Sequence, residues 1–87
     1  MSRTNRFFQK LQEFDGYDSI GGPTWQVCVI DIDHILFVRE KRLKDGSPVI
    51  HIHLRHTEVI VAKGTIDQLI ESIHNALTNP GSGPREI

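Results

Sequence analysis

The sequence is poor in cysteine, with Cys28 the only one among 87 residues. A lone thiol excludes an internal disulfide and any cysteine-built zinc cluster within one chain. A reducing cytoplasmic setting is the simplest expectation. Long apolar runs are missing too. No stretch approaches the roughly 18 apolar residues that a membrane-spanning helix needs. The polar opening Met1-Ser2-Arg3-Thr4-Asn5-Arg6 has no apolar signal-peptide region, so no membrane partner is expected. A dominant charge is also lacking. Ten Lys and Arg stand against eleven Asp and Glu, for a formal net charge of −1, which argues against wholesale electrostatic binding to nucleic acid or anionic membrane. A chain of this length holds one hydrophobic core and has little room for a separate catalytic domain.

Charge is unevenly spread. Residues 1–14 sum to +2, residues 15–34 to −4, residues 35–63 to +3 and the remainder to −2. The tail Asn79-Pro80-Gly81-Ser82-Gly83-Pro84-Arg85-Glu86-Ile87 cannot bury enough apolar surface to offset ordering, so residues 79–87 are expected to be disordered. Asp15-Gly16-Tyr17-Asp18-Ser19-Ile20-Gly21-Gly22-Pro23 is a second break, rich in turn formers. These breaks predict an N-terminal helix with a flexible elbow over 1–23 and a core over 24–78. Gly21-Gly22-Pro23 matches neither the dinucleotide fingerprint nor the P-loop, and an elbow explains it.

Ile66, Leu69, Ile70, Ile73 and Leu77 fall on one stripe of a 3.6-residue helix. Thr65 with Gln68 fits a capping box, and Asn79-Pro80 stops the helix. Upstream, Val49 to Arg55 alternates, placing Ile50, Ile52 and Leu54 on one face and Val49, His51, His53 and Arg55 on the other. Asp45-Gly46 signals a hairpin turn between this strand and an arm over residues 35–42. Glu58 to Lys63 reads as the next strand, reached by a tight turn at His56-Thr57, and Trp25 to Ile30 as a further one. The connections are too short for parallel crossovers. Phe7, Phe8, Leu11 and Phe14 lie at helical spacing and predict a short amphipathic helix over about residues 5–14. The expected fold is α+β, a four-stranded antiparallel β-meander with a C-terminal helix on one face and this N-terminal helix.

Three of the strands are apolar at every position over 27–30, 35–38 and 59–62, a pattern that suits burial on both faces. One helix covers one face. Either the Phe-rich N-terminal segment or a second copy of the chain must cover the other, because an open apolar sheet face is a liability. A homo-oligomer is the expectation, with Phe7, Phe8, Leu11 and Phe14 as interface residues.

Candidate sites have competing explanations. His51 and His53 leave the same strand face with Cβ atoms about 6–7 Å apart. Two imidazoles can share a metal ion or sense pH, but a site needs three or four convergent ligands, so no metal is assigned and the pair is read as sheet surface. Asp31-Ile32-Asp33-His34 invites a general-base reading, yet no nucleophile can be placed beside it, and an Asp-capped turn accounts for the same residues. Arg39-Glu40-Lys41-Arg42-Leu43-Lys44, with Arg55 nearby, is the best anion or nucleic-acid candidate. Glu40 and Asp45 dilute it, no aromatic residue interleaves, and cations at a strand's outer end also guard against edge aggregation.

The segment from Ile30 to Glu40, the Asp45-Gly46 turn, and the run Val59 to Ile70 resemble the FlbD-like family of small flagellar-associated bacterial proteins. The likeness covers about half the chain and rests mostly on core and turn residues. It departs in the 23-residue N-terminal extension, the paired histidines and His56-Thr57 where a glycine turn is common. A looser likeness links the strand pattern to LytTR-type DNA-binding domains, without their C-terminal portion. The resemblance implies a non-enzymatic role and carries over no catalytic residue.

The expected function is a small non-catalytic regulatory or binding module, cytoplasmic and without a cofactor, acting through self-assembly and protein–protein contacts. The alternative is a small-molecule, nucleotide or nucleic-acid binder using Arg39, Lys41, Arg42, His51, His53 and Arg55.

Overall fold

The computed structural model describes residues 8–78 and 86–87. The described chain is α+β, with β1 (Phe8–Tyr17), β2 (Pro23–Asp31), β3 (Ile35–Arg42), β4 (Pro48–Leu54), β5 (Val59–Lys63) and α1 (Ile66–Thr78). The five strands form one antiparallel sheet in the order β2-β1-β5-β4-β3.

The expected N-terminal helix is replaced by a strand, so the sheet has five strands rather than four. Residues 8–17 do not lie over the sheet; β1 sits inside it, between β2 and β5. The spacing of Phe8, Leu11 and Phe14 mixes two strand faces. Leu11 is fully buried, whereas Phe8 is 51% exposed. Gln9, the other fully buried residue of this strand, is polar and gave no apolar signal. The boundary expected at residue 23 falls in a hairpin, closed by Asp18 N–H donating to Gly22 O at 2.8 Å and by Asp18 Oδ1 accepting from Gly22 N at 2.8 Å. The expected tail lies mostly outside the described residues. Ile87 packs against the core, and its N–H donates to Lys10 O at 3.2 Å.

The meander β3-β4-β5 forms as expected. Its first turn is held by Asp45, which accepts from Ser47 N at 3.0 Å and Ser47 Oγ at 2.9 Å, with Gly46 at a φ of 90° that glycine adopts freely. Between β2 and β3, Asp31 Oδ1 accepts from Asp33 N at 3.0 Å and caps a 3-10 turn over Ile32–His34. This short turn joins the two edge strands of the sheet. A flat five-stranded sheet would hold its edges about 19 Å apart. Three linking residues reach at most about 15 Å, and less in 3-10 form. The sheet therefore curls, bringing Leu11, Ile30, Ile50, Ile52, Ile60 and Ala62 into one core with Leu69 of α1.

The helix begins at the expected capping box, with Thr65 N donating to Gln68 Oε1 at 2.9 Å and Gln68 N to Thr65 Oγ1 at 3.2 Å. Its buried seam differs from the expected stripe. Leu69, Ser72 and Ala76 are buried, while Ile70 is 58% and Leu77 65% exposed. Ser72 meets the buried Gln9 of β1 through a hydrogen bond, so the seam is not set by the largest apolar side chains alone.

Candidate functional site

Strand register sorts the side chains into two faces. The pairs Val38↔Ile52, Ile52↔Ile60, Glu40↔Ile50 and Ile50↔Ala62 lie toward the core. The bridge Glu13↔Ala62 puts Glu13 on that same inner face, along with Gln9 and Leu11. The outer face then holds the alternate positions. On β3, β4 and β5 these are the rows Phe37-His53-Val59, Arg39-His51-Val61 and Lys41-Val49-Lys63. On the β1-β2 hairpin they are the pairs Lys10↔Val29, Gln12↔Val27 and Phe14↔Trp25.

This sorting separates charge in a way that the linear order hides. Glu40, which dilutes the basic run in the sequence, turns inward, and its Oε1 accepts from Ile66 N at 3.0 Å. A carboxylate there complements the positive end of the helix. Glu13 is also on the inner face. Lys10, Arg39, Lys41 and Lys63 remain on the outer face, where Asp31, at the end of β2, is the one acidic residue among the paired outer positions and is buried as a turn cap.

Aromatic groups share that face. The Phe37 ring stacks on His53 with centroids 4.1 Å apart and planes 14° from parallel. The Arg39 guanidinium lies 5.2 Å from the Phe37 centroid, within cation–π range. Lys63 Nζ is 5.5 Å from the Trp25 ring, which meets Phe14 edge-on at 5.9 Å. Phe37 is 44% exposed. Val49 is the buried apolar residue of the outer face on β4, flanked by Lys41 and Lys63, whose aliphatic stems suit an apolar neighbour.

The structure thus brings Arg39, Lys41, His51 and His53 together and adds Phe37, Lys63 and Trp25, which the sequence reading did not include. It leaves two expected members apart. Arg42 Nη1 donates to Gly46 O at 2.9 Å and braces the hairpin turn. Arg55 lies in the turn after β4, with its backbone N–H donating to His34 O at 3.0 Å. Of the expected interface residues, Phe7 lies outside the described residues. Leu11 belongs to the chain's own core and offers no surface to a partner. Phe14 is half-buried against Tyr17 and Trp25, and Phe8 stays exposed.

Electrostatics bear on three groups. Burial, and then Lys41 and His53, lower the pKa of His51, so it favours the neutral form. Burial raises the Cys28 thiol, with Glu13 and Glu58 adding to the effect, which holds it protonated and makes it a poor nucleophile. Hydrogen bonds from Ser47 lower Asp45. His34 stands 4.0 Å from Asp31 Oδ2 and edge-on to His56 at 6.1 Å. Among the described residues no group of three or more His, Cys, Asp or Glu side chains is placed to hold a metal ion, and no helix is long and apolar enough to cross a membrane. No protein-family model, curated protein or solved structure matches this chain.

Proposed function

We propose that the protein is a non-catalytic binding module that assembles with itself through the edge strand β2. What carries this reading is the contrast between the two edges of the sheet. β3 carries Arg39, Glu40, Lys41 and Arg42, charges that deter strand addition. β2 has no charged residue before Asp31, pairs only with β1 among the described strands, and exposes Val27 and Val29 at 58% and 57%. Beside it, Phe8 is 51% exposed.

The occupant of this edge is the same strand of a second copy. Antiparallel pairing about a two-fold axis is self-complementary. Centred on Val27, it sets Trp25 against Val29 and Pro23 against Asp31, with no like charges opposed. It also joins two apolar patches across the axis. Assembly through strand and apolar contacts agrees with the non-enzymatic role that the FlbD-like resemblance implies.

Light scattering tests the reading. The full chain is expected at twice the mass of one chain at tens of micromolar. Val27→Lys, which sets two ammonium groups face to face at the axis, is expected to return it to one chain. Leu36→Lys, on the already charged edge, should leave the mass unchanged. A wild-type protein that stays single over that concentration range would end the proposal.

A further inference from the structure

The outer sheet face runs from the β2 edge across β1, β5, β4 and β3, and away from that edge its chemistry differs. It combines planar rings, cations and an absence of exposed carboxylates among its paired positions. Phe37 and His53 already stack face to face at 4.1 Å, and Phe37 keeps 44% of its surface open. Arg39 and Lys41 lie two residues apart on β3, so their Cα atoms are about 6.6 Å apart along the strand. Lys63 stands across β4 from Lys41, with Val49 between them, and reaches toward Trp25. Flat rings spaced among lysine and arginine side chains suit a ligand of alternating flat bases and phosphates. A lone anion would use only the cations, and an apolar peptide only the rings.

We propose that this face binds single-stranded nucleic acid, with bases stacking on Phe37 and Trp25 and phosphates held by Arg39, Lys41 and Lys63. Every base has a π-face, so binding of this kind tolerates sequence variation. A duplex hides its bases within the stack and leaves the rings unused. The part of the face on β3, β4 and β5, with Phe37, Arg39, Lys41 and Lys63, stays open whether the chain is single or paired through β2, whereas Trp25 of β2 then sits beside Val29 of the second copy. Pairing would place two such platforms side by side.

Fluorescence anisotropy with a labelled oligodeoxythymidylate of about a dozen nucleotides tests the proposal, a length within the usual span of one small binding domain. Wild-type protein is expected to bind the single strand and to prefer it to the matching duplex. The logarithm of affinity should fall with the logarithm of salt at a slope of about −2 for three phosphate contacts. Phe37→Ala is expected to weaken binding about tenfold, with Phe37→Trp restoring it. Lys41→Gln should make the salt slope shallower by about 0.7. Trp25 is the only tryptophan, so quenching of the protein's own fluorescence gives a second readout of stacking. Circular dichroism of each variant checks that the fold is intact.

Three outcomes would overturn the proposal. One is no anisotropy change at low salt. Another is equal affinity for single strand and duplex together with indifference to Phe37→Ala, which would mean charge alone. The third is binding to phosphatidylglycerol vesicles but not to the oligonucleotide, which would make the face a lipid contact.

Discussion

Ser72 Oγ donates to Gln9 Oε1 at 2.7 Å in the protein interior, joining the helix to a strand 63 positions away in sequence. Both residues are buried. Gln9 Nε2 in turn donates to Lys10 O at 3.0 Å. This polar pair lies where an apolar contact would be expected, and it fixes which turn of α1 faces β1. Ser72→Ala removes the hydroxyl donor without adding volume and is expected to lower stability by about 1 kcal/mol. Urea unfolding of Ser72→Ala, Gln9→Met and the double variant would measure the coupling. Independent, additive effects would show that the pair does not act as a unit.

Leu11 decides between a strand inside the sheet and a helix lying over it. The side chain is fully buried among Ile30, Ile50, Ile52 and Ile60. Leu11→Ala is expected to cost about 2–5 kcal/mol, as other large-to-small core changes do. Phe8→Ala, at a site 51% exposed, should cost less than about 1 kcal/mol. Chemical unfolding of the two variants gives the comparison. Similar small losses would mean that β1 is not part of the core.

Most of the meander and the helix was legible because one physical signal dominated each element. Alternation marked β4, turn chemistry marked Asp45-Gly46, and a capping box marked the start of α1. β1 was misread because its two fully buried side chains, Gln9 and Leu11, include a polar one, while Phe8 and Phe14 lie on the opposite face. The apolar spacing therefore imitated a helix. That error hid the candidate site. Without β1 inside the sheet, Trp25 and Lys63 have no reason to meet. Period-2 alternation could have separated Glu40 from Arg39 and Lys41, but only the packing of α1 shows Glu40 engaged at the helix start. The stacking of Phe37 on His53 depends on the register shift between Ile35 and Phe37, which composition does not signal.

The entry to α1 is tightly built around Gly64, which has a φ of 124°. A Cβ added there would lie 2.7 Å from Gln68 Oε1 and 2.8 Å from Ile87 Cγ2. Gln68 Oε1 is the atom that accepts from Thr65 N, so the added methyl group would press on the cap itself. Gly64→Ala is expected to cost about 1–3 kcal/mol through backbone strain, on top of any damage to the cap. Thr65→Ala alone should cost about 1 kcal/mol. Thermal melts of the two variants should rank Gly64→Ala as the more damaging, and the reverse order would contradict the close approach.

His51 links the outer face to pH. It sits between Val61 of β5 and Arg39 of β3, with Lys41 and His53 also disfavouring its charge and burial the largest cause. Its folded pKa lies below the ordinary histidine value of about 6.5, so the unfolded chain takes up a proton first as pH falls. Stability rises with pH wherever the unfolded state binds more protons. The His51 contribution is therefore constant above the unfolded pKa and is lost as pH falls from about 6.5 through the lower folded value. His51→Gln is expected to flatten this part of the stability profile, measured by urea midpoints at closely spaced pH values between about 7 and 5. An unchanged slope in the variant would mean that His51 titrates alike in the folded and unfolded chains.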